Sequence, residues 1–164
     1  MNLEILFLGM RRVDGMEYIV VKESELSNKK YAPLQVAFLM IRFGDAYLLK
    51  RDFEGGHWEL PATGINTNET PRECIIRNYS DKYGLNDFDV KLIGVSKVVF
   101  EKTEWRPDPK PEYLVLFEAI IDNKDDVFNN IDENLHLWYV FGDDINPYCQ
   151  LCRGLIEYHE ALME

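Results

Sequence analysis

The run of apolar and polar positions along the chain marks more strands than helices. Residues 3–9 and 16–22 are apolar and β-rich, and Val13-Asp14-Gly15 between them is a hairpin signal. A polar connector over 23–32, with Ser24, Ser27, Asn28, Lys29 and Lys30, leads to the apolar run Leu34–Phe43. Gly44-Asp45 then turns the chain into Ala46–Lys50, which predicts a second hairpin. From Asp52 to Asn68 the chain is punctuated by Gly55, Gly56, Pro61 and Gly64, so a loop is expected, with one short strand at Trp58–Leu60.

Thr70-Pro71-Arg72-Glu73 is the sharpest local signal. Threonine at the N-cap, proline in the first helical position and glutamate three residues on form a capping box. Ile75, Ile76 and Tyr79 supply helical spacing, and Gly84 ends the helix after about Tyr83. Strands follow at about 89–100 and 112–121, separated by the proline-rich loop 105–111. The acidic tract Asp122–Glu133 reads as a solvated loop, Leu135–Phe141 as a strand. Asn146-Pro147 opens a final helix with Tyr148, Leu151, Cys152, Leu155 and Leu162 on one stripe. Many strands and two well-signalled helices, not in strict alternation, predict an α+β domain.

A length of 164 residues suits one domain over 1–164, and 46% apolar residues exclude a disordered chain. The formal charge of −11 repels phosphate backbones, so nucleic acid is not an expected partner. No apolar run comes near the ~18 residues of a membrane span, so a membrane is not expected either. A small anionic ligand stays open, because carboxylates that hold a divalent metal invert the local sign. Three cysteines, Cys74, Cys149 and Cys152, cannot form a disulfide framework and fit a reducing compartment. The N-terminal apolar stretch lacks the basic start and cleavage site of a signal peptide, so a cytoplasmic location is expected. Cys149-Gln150-Leu151-Cys152 has the spacing of a redox or zinc motif, but it is expected inside the last helix rather than at its entry, as a core pair. His57, His136 and His159 show no ligand spacing.

Gly56-His57-Trp58-Glu59-Leu60-Pro61-Ala62-Thr63-Gly64, then Glu69, then Arg77 through Gly84-Leu85, resembles the signature of the Nudix hydrolase family. Counted back from Gly84-Leu85, Glu69 and Arg77 fall in register without gaps. Thr63 replaces the first glycine, Asn78 the glutamate after the arginine, and Asp81 and Lys82 the last two glutamates. The resemblance implies a mixed β-sheet sandwiched between helices, here with an N-terminal β extension over 1–30 and the diagnostic loop and helix over 63–85. It also implies hydrolysis of a nucleoside diphosphate linked to another group, with Mg²⁺ or Mn²⁺ held by carboxylates at 78, 81 and 82. Those positions are three and four apart and share one helix face. Asn78 keeps an oxygen without the charge, Asp81 has a shorter arm, and Lys82 is a cation. A like-charge contact at ~4 Å costs about 4 kcal/mol at an effective dielectric near 20.

The candidate site residues are therefore Glu69, Glu73, Arg77 and Asp81. Asp81, Glu73 and the Ala62 or Thr63 carbonyl are candidates for a displaced metal, with Glu59 nearby. A Glu73–Arg77–Asp81 ladder at i,i+4 spacing is expected along the helix. Arg51, with Lys50 beside it, is a candidate for phosphates, and Trp58 and Trp105 for stacking on a base. Glu101, Glu104, Asp108 and Glu112 are equivalent candidates for a general base. The alternative reading is a nucleotide-binding or regulatory module without chemistry. A homodimer through residues 1–30 is a further expectation.

Overall fold

Strand β2 (Val36–Phe43) buries six residues in a row, Val36 to Ile41. Such a run suits a strand covered on both faces, and both faces are covered. Val36, Phe38 and Met40 join one core cluster, while Ala37, Leu39 and Ile41 join the other. The computed structural model describes residues 12–129, 131–145 and 149–163.

The remaining strands are β1 (Val13–Ile19), β3 (Ala46–Lys50), β4 (Ala62–Gly64), β5 (Val90–Phe100), β6 (Glu112–Ile120) and β7 (His136–Val140). They form a seven-stranded sheet in the order β1-β5-β6-β2-β3-β7, with β4 paired to β2. Only β2 and β6 run parallel; every other named pairing is antiparallel, so the sheet is mixed. Helix α1 (Pro71–Tyr83) covers one face through Ile75, Tyr79 and Tyr83. Helix α3 (Gln150–Met163) covers the other through Leu151, Cys152, Leu155 and Ile156. This is the expected sheet between helices.

α1 forms where the capping signal places it. The Thr70 hydroxyl accepts the Glu73 N–H at 3.1 Å, and the Glu73 carboxylate accepts the Thr70 N–H at 3.4 Å. Gly84 ends the helix at φ 65°, a left-handed conformation that favours glycine. Thr70→Ala is expected to cost about 1 kcal/mol, lowering the melting temperature by ~2–4 °C in a calorimetric scan.

Three expectations are corrected. Val13-Asp14-Gly15 is not a hairpin turn; it begins β1, whose register against β5 shifts between Val13 and Gly15. The sheet wins here because β5 offers a full edge, and Gly94 lets β1 come close: a Cβ at Gly94 would lie 2.5 Å from the Ile19 carbonyl. The segment 3–9 lies outside the described residues. The acidic tract carries a short helix, α2 (Lys124–Phe128), capped by Asn123 and anchored by buried Val127. The last helix begins at Gln150, and 146–148 lie outside the described residues. On its stripe, Leu162 is 53% exposed while Ile156 and His159 are buried. Among the described residues no helix is long and apolar enough to cross a membrane.

Candidate functional site

The loop before α1 is stitched to the helix by side chains of the helix itself. Arg77 donates through Nε and Nη2 to Glu69 at 2.9 and 2.7 Å, and the Asn66 N–H donates to the same carboxylate at 3.0 Å. The Arg77 guanidinium, then the Asn66 amide, hold the Glu69 carboxyl down at about 2. The Tyr79 hydroxyl donates to the Ala62 carbonyl at 2.8 Å, and the Cys74 thiol donates to the Gly64 carbonyl at 3.2 Å. Burial, with the charge of Glu69, pushes Cys74 up to about 11, so it stays a neutral donor.

These contacts sort the candidate residues. Glu69 and Arg77 are brought together, in the roles of clamp and clasp. Arg77 goes to Glu69, where it finds a two-point partner, so the described ion pairs contain no Glu73–Arg77–Asp81 ladder. Glu73 serves the helix cap. Asp81 is exposed one turn after Arg77. The Asn78 amide donates back to the Cys74 carbonyl at 2.8 Å. Glu101, Glu104 and Asp108 are exposed in the loop between β5 and β6, and Glu112 lies 3.7 Å from Arg106.

The second half of α1 faces the end of β3 and the start of β7, where cations collect. Lys50 Nζ donates to Asp52 at 2.8 Å and lies 3.5 Å from Glu59. Burial pulls the Lys50 ammonium down, but Asp52 and Glu59 together hold it above its ordinary value. Burial pushes the Glu59 carboxyl up, and Lys50 offsets only part of that. Lys82 is pulled down by burial and then by repulsion from Lys50, so the two ammonium groups share one neighbourhood. His136 is also pulled down, by burial first and by both lysines. Its Nδ1 faces the Asp132 carbonyl at 2.8 Å and must carry the proton, which leaves Nε2 to accept the Tyr83 hydroxyl at 3.0 Å. His136 is neutral and fixed.

Beside the lysines, the Arg51 guanidinium sits over the Trp58 ring at 4.3 Å and donates to the Asn134 carbonyl at 3.0 and 2.8 Å. Two candidates far apart in kind are thus stacked on each other. Trp105 is 90% exposed on the β5–β6 loop, and no described ring or cation contact joins it to that stack. Strand register still puts this loop at the same end of the sheet as Lys50 and β4, because β6 starts alongside β2. Asp52, Tyr83 and His136 have no local signal; only the β3–β7 pairing and the packing of α1 bring them here.

An open groove of about 730 Å³ runs beside the loop before α1, with Ser24, Leu34, Gln35, Ile65, Asn66 and Pro71 in its lining. Its lining cation, Arg72, is held by Glu23 at 2.9 Å and by Asp87 at 3.2 Å. The groove therefore has room but no spare positive charge; the lysines lie outside it.

The residues do not fit a resident divalent cation at 78, 81 and 82. Together they supply no net charge, Ala62's carbonyl already accepts Tyr79, and Lys82 is itself a cation. Among the described residues, no group of three or more His, Cys, Asp or Glu side chains can hold a metal ion.

Comparison with known proteins supplies the lineage. RNA pyrophosphohydrolase of Hydrogenovibrio crunogenus is 26% identical over 85 residues, 52% of this chain and 47% of that protein. The chain spans about half the length of the curated relatives it matches. The crystal structure of the Bacillus subtilis pyrophosphohydrolase BsRppH superposes with TM-score 0.55 at 15% identity, covering 90% of this chain and 89% of that one. The Caenorhabditis elegans Ap4A hydrolase superposes with TM-score 0.52 at 18% identity, covering 80% and 98%. These likenesses share the fold, and the NUDIX domain model matches residues 33–143, β2 through the end of β7. The chain belongs to the Nudix family.

Proposed function

We propose that this chain binds a small diphosphate-bearing, nucleotide-like ligand on the face shared by α1, the end of β3 and the Trp58–Leu60 segment, with lysine ammonium groups in the place of a divalent cation. The observation that carries this reading is Lys82 in the register of a family metal ligand, next to Tyr83, which bonds the His136 paired opposite Lys50. The largely buried Lys50 ammonium attracts phosphate oxygens more strongly than a solvated one would, and the exposed Lys82 adds a second positive charge. Arg51, 4.3 Å from the centroid of the half-buried Trp58 ring, adds a planar donor fork beside an aromatic ring that a base could stack on. Nothing in the donor set calls for metal, so binding is expected without it.

The test is a thermal-shift panel of nucleoside diphosphates and dinucleoside polyphosphates in EDTA and in Mg²⁺. Stabilisation of about 2.7 kcal/mol at a hundredfold excess over Kd, equal in both media, is expected. Stabilisation that needs Mg²⁺ overturns the lysine reading.

One observation favours the hydrolase alternative: Glu59 is a half-buried carboxyl held above its ordinary value at this face, the property a general base needs. The relatives named RNA pyrophosphohydrolase point the same way. Mg²⁺- or Mn²⁺-dependent phosphate release from the same panel, lost in Asp81→Ala, would establish it in place of the binding reading.

A further inference from the structure

The Cys149-Gln150-Leu151-Cys152 motif is not inside its helix but at the entry. The Cys149 carbonyl accepts the Arg153 N–H at 3.0 Å, the first intrahelical bond of α3, so Cys149 is the N-cap residue. Its sulfur takes the place an oxygen usually holds there and accepts the Cys152 N–H at 3.4 Å. The expectation of a mid-helix pair fails because the helix begins later than the proline signal suggests.

Both cysteines also grip the strand segment that enters the site. The Cys149 N–H donates to the Trp58 carbonyl at 3.1 Å, and the Leu60 N–H donates to Cys152 Sγ at 3.3 Å. The residue between them, Glu59, pairs its N–H and carbonyl with Lys50, both at 2.8 Å. One edge of the segment is thus held by the Cys149 amide and the Cys152 thiol, and the other by the lysine strand.

The two thiols differ in kind. The Cys152 thiol and amide point at Cys149 and draw its thiol below the ordinary value, aided by the helix N-terminus. Burial pushes the Cys152 thiol up. A nucleophile therefore adjoins a resolving partner. Cys74 has neither arrangement: it donates to Gly64 from the first turns of α1.

We propose that Cys149 and Cys152 form a reversible dithiol–disulfide switch, oxidised by a hydroperoxide, that resets the Trp58–Leu60 segment. The Cys149 thiolate attacks one peroxide oxygen, the O–O bond breaks, and hydroxide leaves from hydrogen peroxide, giving a sulfenic acid. The Cys152 sulfur then attacks the Cys149 sulfur and expels hydroxide, which leaves as water with the Cys152 proton. Each sulfur gives up one electron, and the peroxide takes both. A small dithiol reverses the step by exchange. Both cysteine residues are 1% exposed, which suits a small oxidant and excludes bulky disulfides from the folded protein.

The test treats the full chain with hydrogen peroxide, unfolds it in an alkylating agent and maps the cysteines by mass spectrometry. An internal disulfide in the 149–152 peptide, with Cys74 alkylated, is expected, and dithiothreitol restores both thiols. In Cys152→Ser, dimedone should trap the sulfenic acid at Cys149. Three alkylated cysteines after peroxide, or Cys74 oxidised as fast as Cys149, overturns the switch. Amide exchange over 58–60 should speed up roughly tenfold on oxidation, because Leu60 loses its acceptor geometry; unchanged exchange overturns the coupling. Only the consequence for ligand affinity rests on the proposed binding function, and these readouts do not use it.

Discussion

Lys82→Glu is expected to weaken nucleoside diphosphate binding in EDTA by about ten- to a hundredfold, measured by calorimetric titration. Reversing a charge ~4 Å from a phosphate shifts the Coulomb energy by up to about 8 kcal/mol at an effective dielectric near 20. Lys82 is solvent-exposed, so screening reduces this to roughly 1.4–2.7 kcal/mol, which sets the quoted range. Adding Asn78→Glu and Asp81→Glu restores the family's three carboxylates on one helix face. That variant should gain a melting-temperature rise with Mg²⁺ that the native chain lacks, since one or two carboxylates and water suffice for the cation. Unchanged affinity in Lys82→Glu would remove the lysines from the ligand. A native chain already stabilised by Mg²⁺ would show that the cation enters despite Lys82.

The parts of this site that were legible in the sequence are those fixed by neighbours in the chain. The capping box predicts α1 and its end at Gly84, and both stand where expected. Strands expected at 89–100 and 112–121 form as Val90–Phe100 and Glu112–Ile120, because each is bounded by turn residues and rich in apolar β-branched or aromatic ones. Glu69 and Arg77 meet because a loop and the next helix turns are enough to join them. What periodicity cannot carry is tertiary placement. Lys50 meets Lys82 only after α1 packs on the sheet, and His136 arrives through the β3–β7 ladder, opposite Lys50. The N-cap role of Cys149 was hidden for a different reason: Asn146-Pro147 is a stronger start signal than cysteine, whose sulfur is a weak acceptor.

Glu118→Gln is expected to destabilise the fold by about 3 kcal/mol near neutral pH, a fall of roughly 6–12 °C in melting temperature, because it removes a carboxylate held by a buried ring and by Arg42. The ring is His159, 5% exposed on α3. The Tyr47 hydroxyl has one proton and donates it to the Glu160 carboxylate at 2.9 Å, so its oxygen must accept from His159 Nδ1 at 2.7 Å. His159 Nε2 pairs with the Glu118 carboxylate, which accepts its proton. Burial pushes Glu118 up, but His159, with Arg42 at 3.7 Å, more than offsets it and holds the carboxyl below its ordinary value. A group whose pKa is lower when folded stabilises above its unfolded value, about 4.3, and loses that contribution as pH falls through the folded one. The native chain should therefore lose stability below about pH 5, and the gap to Glu118→Gln should close with it; a gap independent of pH would contradict the ion pair. Tyr47 and Glu118 lie within the family-matched residues 33–143, while His159 and Glu160 lie beyond them. The pair thus ties α3 to the family sheet, and with it the Cys149–Cys152 grip on the segment that carries Trp58 and Glu59.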